Sequence, residues 1–213
     1  MSTLTANQTA SQNIAIGTSA LGAALVDAAD NNVAIGYNAM DANVSGATNV
    51  AIGTNALGDS TVSDDNVAVG HQAMSGSHTT EANKNIAIGT STLAGVLTAA
   101  AVENVAVGYQ AMTGNTSGTL NVAIGSNALD AVNTGSNNIA IGNNALTTNT
   151  SGHINVAVGG GALDLNQTGS RNVALGYYAL YANVDGTSNV AVGAHSLNAN
   201  TEGERNVAVG DAT

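Results

Sequence analysis

The pentad Asn-[Val/Ile]-Ala-[Val/Ile/Leu]-Gly occurs twelve times along the chain. Its asparagine falls at Asn13, Asn32, Asn49, Asn66, Asn85, Asn104, Asn121, Asn138, Asn155, Asn172, Asn189 and Asn206. Eight of the eleven spacings are 17 residues and three are 19. A pattern held in register this long makes each copy one structural unit that must stack on its neighbours. With the asparagine as position 0, position +8 is Leu or Met in all eleven complete copies. Position +7 is Ala in nine of them, with Thr92 and Ser196 as the exceptions. Position +14 is Gly in seven of the eight 17-residue copies. The longer copies, starting at Asn13, Asn66 and Asn85, carry their extra residues between Leu/Met and the next asparagine, which predicts a loop on the edge of the stack.

Within the pentad, β-branched residues alternate with Asn, Ala and Gly, a period of two that reads as strand. Seventeen residues with two glycines cannot hold a helical repeat, which needs about 33. The unit predicted is one coil of a parallel β-solenoid. It has a strand ending at Gly, a second short strand through x-x-Ala-Leu, and an Asn- and Gly-rich turn. The fold class is all-β, a β-roll of about twelve coils of 17–19 residues. It forms a single repeat domain over 1–213: an N-terminal half-coil (1–12), eleven complete repeats (13–205) and a C-terminal half-coil (206–213). Positions +1, +3 and +8 are expected to form three internal apolar ladders, and the asparagines an amide ladder between coils. Ile124→Asp, at +3, should then place an unpaired carboxylate in the core.

The rest of the composition narrows function by exclusion. The chain of 213 residues has no Cys, so thiolate metal sites, disulfides and cysteine catalysis are out. Three basic residues against fourteen acidic ones, a net charge of −11, argue against nucleic-acid binding. No apolar run approaches the 18 residues of a membrane-crossing helix, so no membrane insertion is expected. Residues 1–10 have no basic segment followed by an apolar one, and read as no signal peptide. His71, His78, His153 and His195 fall in different coils, and no nucleophile elbow or His-Glu-x-x-His motif occurs. An enzyme is not expected, and no catalytic, cofactor-binding or metal-binding residue is assigned.

Two repeat positions look outward in this reading. Ala at +2 is invariant and lies opposite the +1 and +3 pair, so Ala34, Ala51, Ala68, Ala123, Ala157 and Ala174 are candidates for a lateral contact between chains. The alternative is that +2 is squeezed inside a narrow roll. Positions +5 and +6 vary from copy to copy and hold four of the five tyrosines. Tyr37, His71, Tyr109, Tyr177 and Tyr178, with Tyr181 near by, are candidates for surface recognition of a cell-surface glycan or protein. The bland alternative is an exposed corner after the glycine turn.

The run Asn-Val-Ala-Ile-Gly-x-x-Ala-Leu resembles the head repeats of trimeric autotransporter adhesins, and more closely the Asn-x-Ala-Ile-Gly-x-x-Ala-Leu repeats of phage tail-fibre and related bacterial surface proteins. The likeness covers residues 13–213. It implies a left-handed β-roll, three rolls side by side as a homotrimer, and a role in attachment. The function expected is a structural fibre or adhesin segment, serving as shaft or attachment surface in a virion tail fibre or at an extracellular surface. The usual adhesin repeat is shorter than 17 residues, and no neck, coiled-coil stalk or anchor accompanies it here.

The ends suggest an alternative. Leu4 and Asn7 match the +8 Leu and +11 Asn of a coil that lacks its strand, while Asn206, Val207 and Val209 form a strand that stops at Thr213. Together the halves make one coil, which predicts a head-to-tail filament closed across the junction, without a receptor role. An ice-binding solenoid is a minor third reading, because Thr occupies +5 only at Thr18, Thr54 and Thr90.

Overall fold

The computed structural model describes residues 10–213 other than 24, 27, 28, 77–80, 99 and 132. Twelve three-residue strands stack in one parallel sheet in chain order. They are β1 (Ile14–Ile16), β2 (Val33–Ile35), β3 (Val50–Ile52), β4 (Val67–Val69), β5 (Ile86–Ile88), β6 (Val105–Val107), β7 (Val122–Ile124), β8 (Ile139–Ile141), β9 (Val156–Val158), β10 (Val173–Leu175), β11 (Val190–Val192) and β12 (Val207–Val209). Every pairing is in register, +1 on +1 and +3 on +3, as in Val122↔Ile139 and Ile124↔Ile141. At a strand separation of about 4.8 Å, eleven steps make a rod roughly 53 Å long. This is the expected parallel β-solenoid.

The strand lies the other way round from the sequence expectation. Ala at +2 points into the roll: Ala34, Ala51, Ala68, Ala123, Ala157 and Ala174 are all 0% exposed. They offer no surface to another chain, and the lateral contact assigned to them is withdrawn. The β-branched residues at +1 and +3 point outward, half-buried by their own neighbours or exposed, and Ile124 is 39% exposed. The interior explains why. The coils fill it with Asn at 0, Ala at +2 and a pair at +7 and +8 that is Ala-Leu or Ala-Met except where Thr92 and Ser196 replace the Ala. A roll that narrow accepts a methyl opposite the leucine wall and has no room for two β-branched side chains. The Leu/Met ladder at +8 is internal as expected, from Leu21 and Met40 to Leu180. Only Leu197, in the last complete coil, is partly buried.

Two further differences are local. The x-x-Ala-Leu segment is a turn and not a second strand, because +6 and +8 adopt left-handed backbone, as at Asn38 (φ 52) and Met40 (φ 52). It still bonds between coils: Asn38 N–H donates to Thr18 in the preceding coil and Met40 N–H to Ala56 in the following one, both at 3.0 Å. The longer coils do more than bulge, since two of them bury a leucine, Leu25 and Leu97, from the stretch with the extra residues.

The asparagines close each coil and join it to the next. From Asn32 to Asn206, every pentad asparagine donates its backbone N–H to Oδ1 of the asparagine one coil earlier at 2.8–3.0 Å. In 17-residue coils the side-chain amide also donates to the carbonyl at +14, as Asn138 does to Gly152 at 2.9 Å. In the longer coils the same bond reaches +16: Asn13 to Ala29 and Asn85 to Ala101, both at 2.8 Å. A second amide ladder runs at +11 from Asn149 to Asn200, with Asn166, Asn183 and Asn200 each donating to Oδ1 of the one before. This ladder dictates the +14 glycine. A Cβ at Gly169 would sit 2.3 Å from Asn166 Oδ1 and 2.5 Å from the Gly186 carbonyl. Where +11 is Ser60, +14 is Ser63, and the buried Ser60 hydroxyl has no partner among the described residues.

Two glycine substitutions separate this constraint from a general cost of adding a methyl. Gly169→Ala should destabilise the rod by about 1–3 kcal/mol through overpacking. Gly160→Ala, whose added Cβ meets nothing closer than 3.4 Å, should stay within about 0.5 kcal/mol of the parent. Chemical denaturation of the two variants checks both.

Candidate functional site

Three surfaces remain once the interior is assigned. The first is the outer face of the sheet. All twenty-four +1 and +3 positions are Val, Ile or Leu, and they form two parallel aliphatic columns down the rod. Twelve strands of three residues give a footprint on the order of 500 Å². That equals the largest apolar patch of an ordinary monomer before side-chain relief is counted. Leu120 and Ile154, at position −1 just before the strand, are 50% and 58% exposed. Both hold left-handed backbone (φ 58 and 59), a conformation costly for a β-branched residue such as Ile154.

The second surface is the corner at +5, +6 and +9. Tyr37, His71 and Tyr109 stand there exposed, each two coils from the next, so they do not converge. The other recognition candidates do converge. Tyr177 meets Tyr178 with ring centroids 4.2 Å apart and planes at 60°, and Tyr178 meets Tyr181 at 4.9 Å and 86°. His195, from the next coil, joins at 5.6 Å from Tyr177 and 5.7 Å from Tyr178. Sequence spacing placed His195 at the variable corner but gave no sign that it would complete this group. Tyr178, Tyr181, His195 and Asn198 line an open cavity of about 290 Å³. The Tyr178 hydroxyl is held above its ordinary pKa, first by its hydrogen bond to Tyr177 and that group's charge, then by desolvation, Tyr181 and Asp164.

The same corner carries partly buried carboxylates. Asn38, Asp41, Asn55, Gly58, Asp59, Gln72 and Ser75 line a polar notch of about 300 Å³. Desolvation, with the neighbouring Asp59 charge, raises the Asp41 pKa. Desolvation and Asp164 raise Asp130, and desolvation raises Asp164 against a hydrogen bond from Thr147. Among the described residues no group of three or more His, Cys, Asp or Glu side chains comes together to hold a metal ion. No helix among them is long and apolar enough to cross a membrane.

The third surface is the pair of rod ends. Leu4 and Asn7 lie outside the described residues. At the other end Thr213 takes the +7 place, where its carbonyl accepts from Leu197 N–H at 2.7 Å and its hydroxyl lies 3.0 Å from that of Ser196. Val207 and Val209 are 74% and 70% exposed, and Asn206 is bonded to Asn189.

No protein-family model, curated protein or solved structure matches the chain.

The carboxylates predict an uncommon pH response. Their folded pKa values lie above the ordinary 3.8, so the native state binds protons more tightly than the unfolded chain. The stability this contributes is full below 3.8 and is lost as pH rises through the raised folded values. Thermal unfolding followed by circular dichroism should give a higher Tm near about pH 4 than at about pH 7. Asp130→Asn with Asp164→Asn should flatten the difference.

Proposed function

We propose that the chain is a structural segment of a fibre or surface adhesin, a rod that works with its aliphatic sheet face covered by further copies of itself. The observation that carries this is the outward pair of aliphatic columns. A single rod in water would leave twenty-four β-branched or leucine side chains on one flat face. Polar replacement at those positions would cost the strand little, yet none occurs in twelve copies. The columns are straight, regular and uncharged, which suits a second rod of the same pitch better than a globular partner. An isolated monomer rarely keeps an uninterrupted apolar strip of this size. The repeat resemblance makes the number of rods three. The lateral interface therefore uses +1 and +3 in place of Ala at +2.

Sedimentation equilibrium of the parent should give three times the chain mass. Glu at Val122 and Ile124 together should yield a folded, dissociated chain with an unchanged β spectrum. Glu at Ala51, Ala123 and Ala157 together should unfold the rod, because buried unpaired carboxylates cost several kcal/mol each. A parent that stays monomeric and soluble at every concentration would refute the lateral assembly.

A further inference from the structure

At the aromatic group of Tyr177, Tyr178, Tyr181 and His195 the repeat is altered in two adjacent coils to suit each other. Position +6 is Asn, Gln or Ser in most coils and needs left-handed backbone. In the coil beneath Tyr178 it is Gly161, φ 64. A Cβ there would lie 2.3 Å from Tyr178 Cε1 and 2.4 Å from Cδ1. Gly161 is thus a seat into which the Tyr178 ring lies down across the preceding coil. Its side chain is held by that seat and by edge contacts with two other tyrosines, so little rotamer freedom remains to be lost on binding.

The arrangement has a definite electrostatic preference. The ring plane of Tyr181 stands at 86° to that of Tyr178, and both rings line one open cavity of about 290 Å³, while Tyr177 packs against Tyr178 from outside the lining. Each π face carries negative charge density and attracts a cation within about 6 Å of its centroid. No Lys or Arg lines the cavity, and the chain as a whole carries −11. The ring faces, the lining without Lys or Arg and the overall charge all disfavour an anionic ligand. A small inorganic cation would find too few oxygen ligands, since Asn198 is the one amide in the lining.

We propose that this cavity binds an organic cation of the quaternary-ammonium type, a weakly hydrated charge with an apolar surface, through the faces of the tyrosine rings. The site lies past the glycine turn, at +5, +6 and +9, and uses none of the +1 and +3 side chains of the strand face. Tyr178 is the central contact, and Gly161 is a positioning residue that acts only by seating it.

Choline chloride is the probe, and 3,3-dimethylbutan-1-ol, its uncharged isostere, is the control. The chain has no Trp and three of its five tyrosines lie here, so tyrosine fluorescence and NMR shifts of the ring protons report occupancy. The expected result is saturable choline binding with a Kd around 1 mM, and at least tenfold weaker binding of the isostere. Tyr178→Phe should keep most of the affinity. Tyr178→Ala should lose about tenfold, the equivalent of 1.4 kcal/mol. Gly161→Asn restores a residue found at +6 in other coils, so the rod should fold normally and still lose choline affinity. Equal binding of choline and its isostere, binding untouched by Tyr178→Ala, or no binding of choline at roughly 100 mM would each overturn the proposal. Preferential binding of a neutral methyl glycoside at Tyr178 would overturn it in favour of a saccharide. Sedimentation of the same samples reads assembly separately, so either conclusion can fail without the other.

Discussion

The asparagine at position 0 carries the architecture. Its carbonyl oxygen accepts the backbone N–H of the next asparagine, and its amide donates across the coil to +14 or +16. One side chain therefore closes its own turn and fixes the register of the neighbouring coil. Buried amides must find partners for all their polar atoms, and a misaligned coil would strand several of them at once. Register is thus held by polar satisfaction inside the roll, and the core needs only Ala and Leu to fill what is left. The closing bond also explains how 17- and 19-residue coils share one rod. The acceptor moves by two residues while donor, distance and direction stay as they were.

Coil length, strand position, parallel register and the Leu/Met core were legible in the sequence because they follow from spacing alone. Which side of the strand faces inward was not. Alternation gives two faces without saying which is buried, and hydrophobicity pointed to the wrong one. Val122 and Ile124 are more apolar than Ala123, yet the room inside is set by Leu129 on the opposite wall and by two amide ladders. An invariant Ala between variable β-branched residues was the available clue, because identity at a small residue signals a limit on volume. The turn at +5 to +8 was read as strand because left-handed Leu and Met residues have no compositional mark.

The candidate sites were legible to different degrees. The tyrosines at +5 and +6 were visible as a variable corner, but Tyr37 and Tyr109 look the same in sequence as Tyr177. Only stacking shows that Tyr177 and Tyr178 have Tyr181 and His195 beside them and glycines beneath. The partly buried carboxylates at +9 carry no sequence signal either, since their neighbours lie in other coils.

The direction of the hydrogen bonds has a mechanical consequence. Nearly all bonds between coils point along the rod, from one strand edge to the next, so a pull on the two ends loads them in tension and one coil at a time. Each coil occupies about 4.8 Å of rod but contains 17 residues, which extend to roughly 55–60 Å. A coil that lets go lengthens the molecule more than tenfold locally and relieves the load on the rest. The rod is therefore stiff at rest and behaves as a series of fuses under strain, each able to rewind on the intact asparagine ladder beside it.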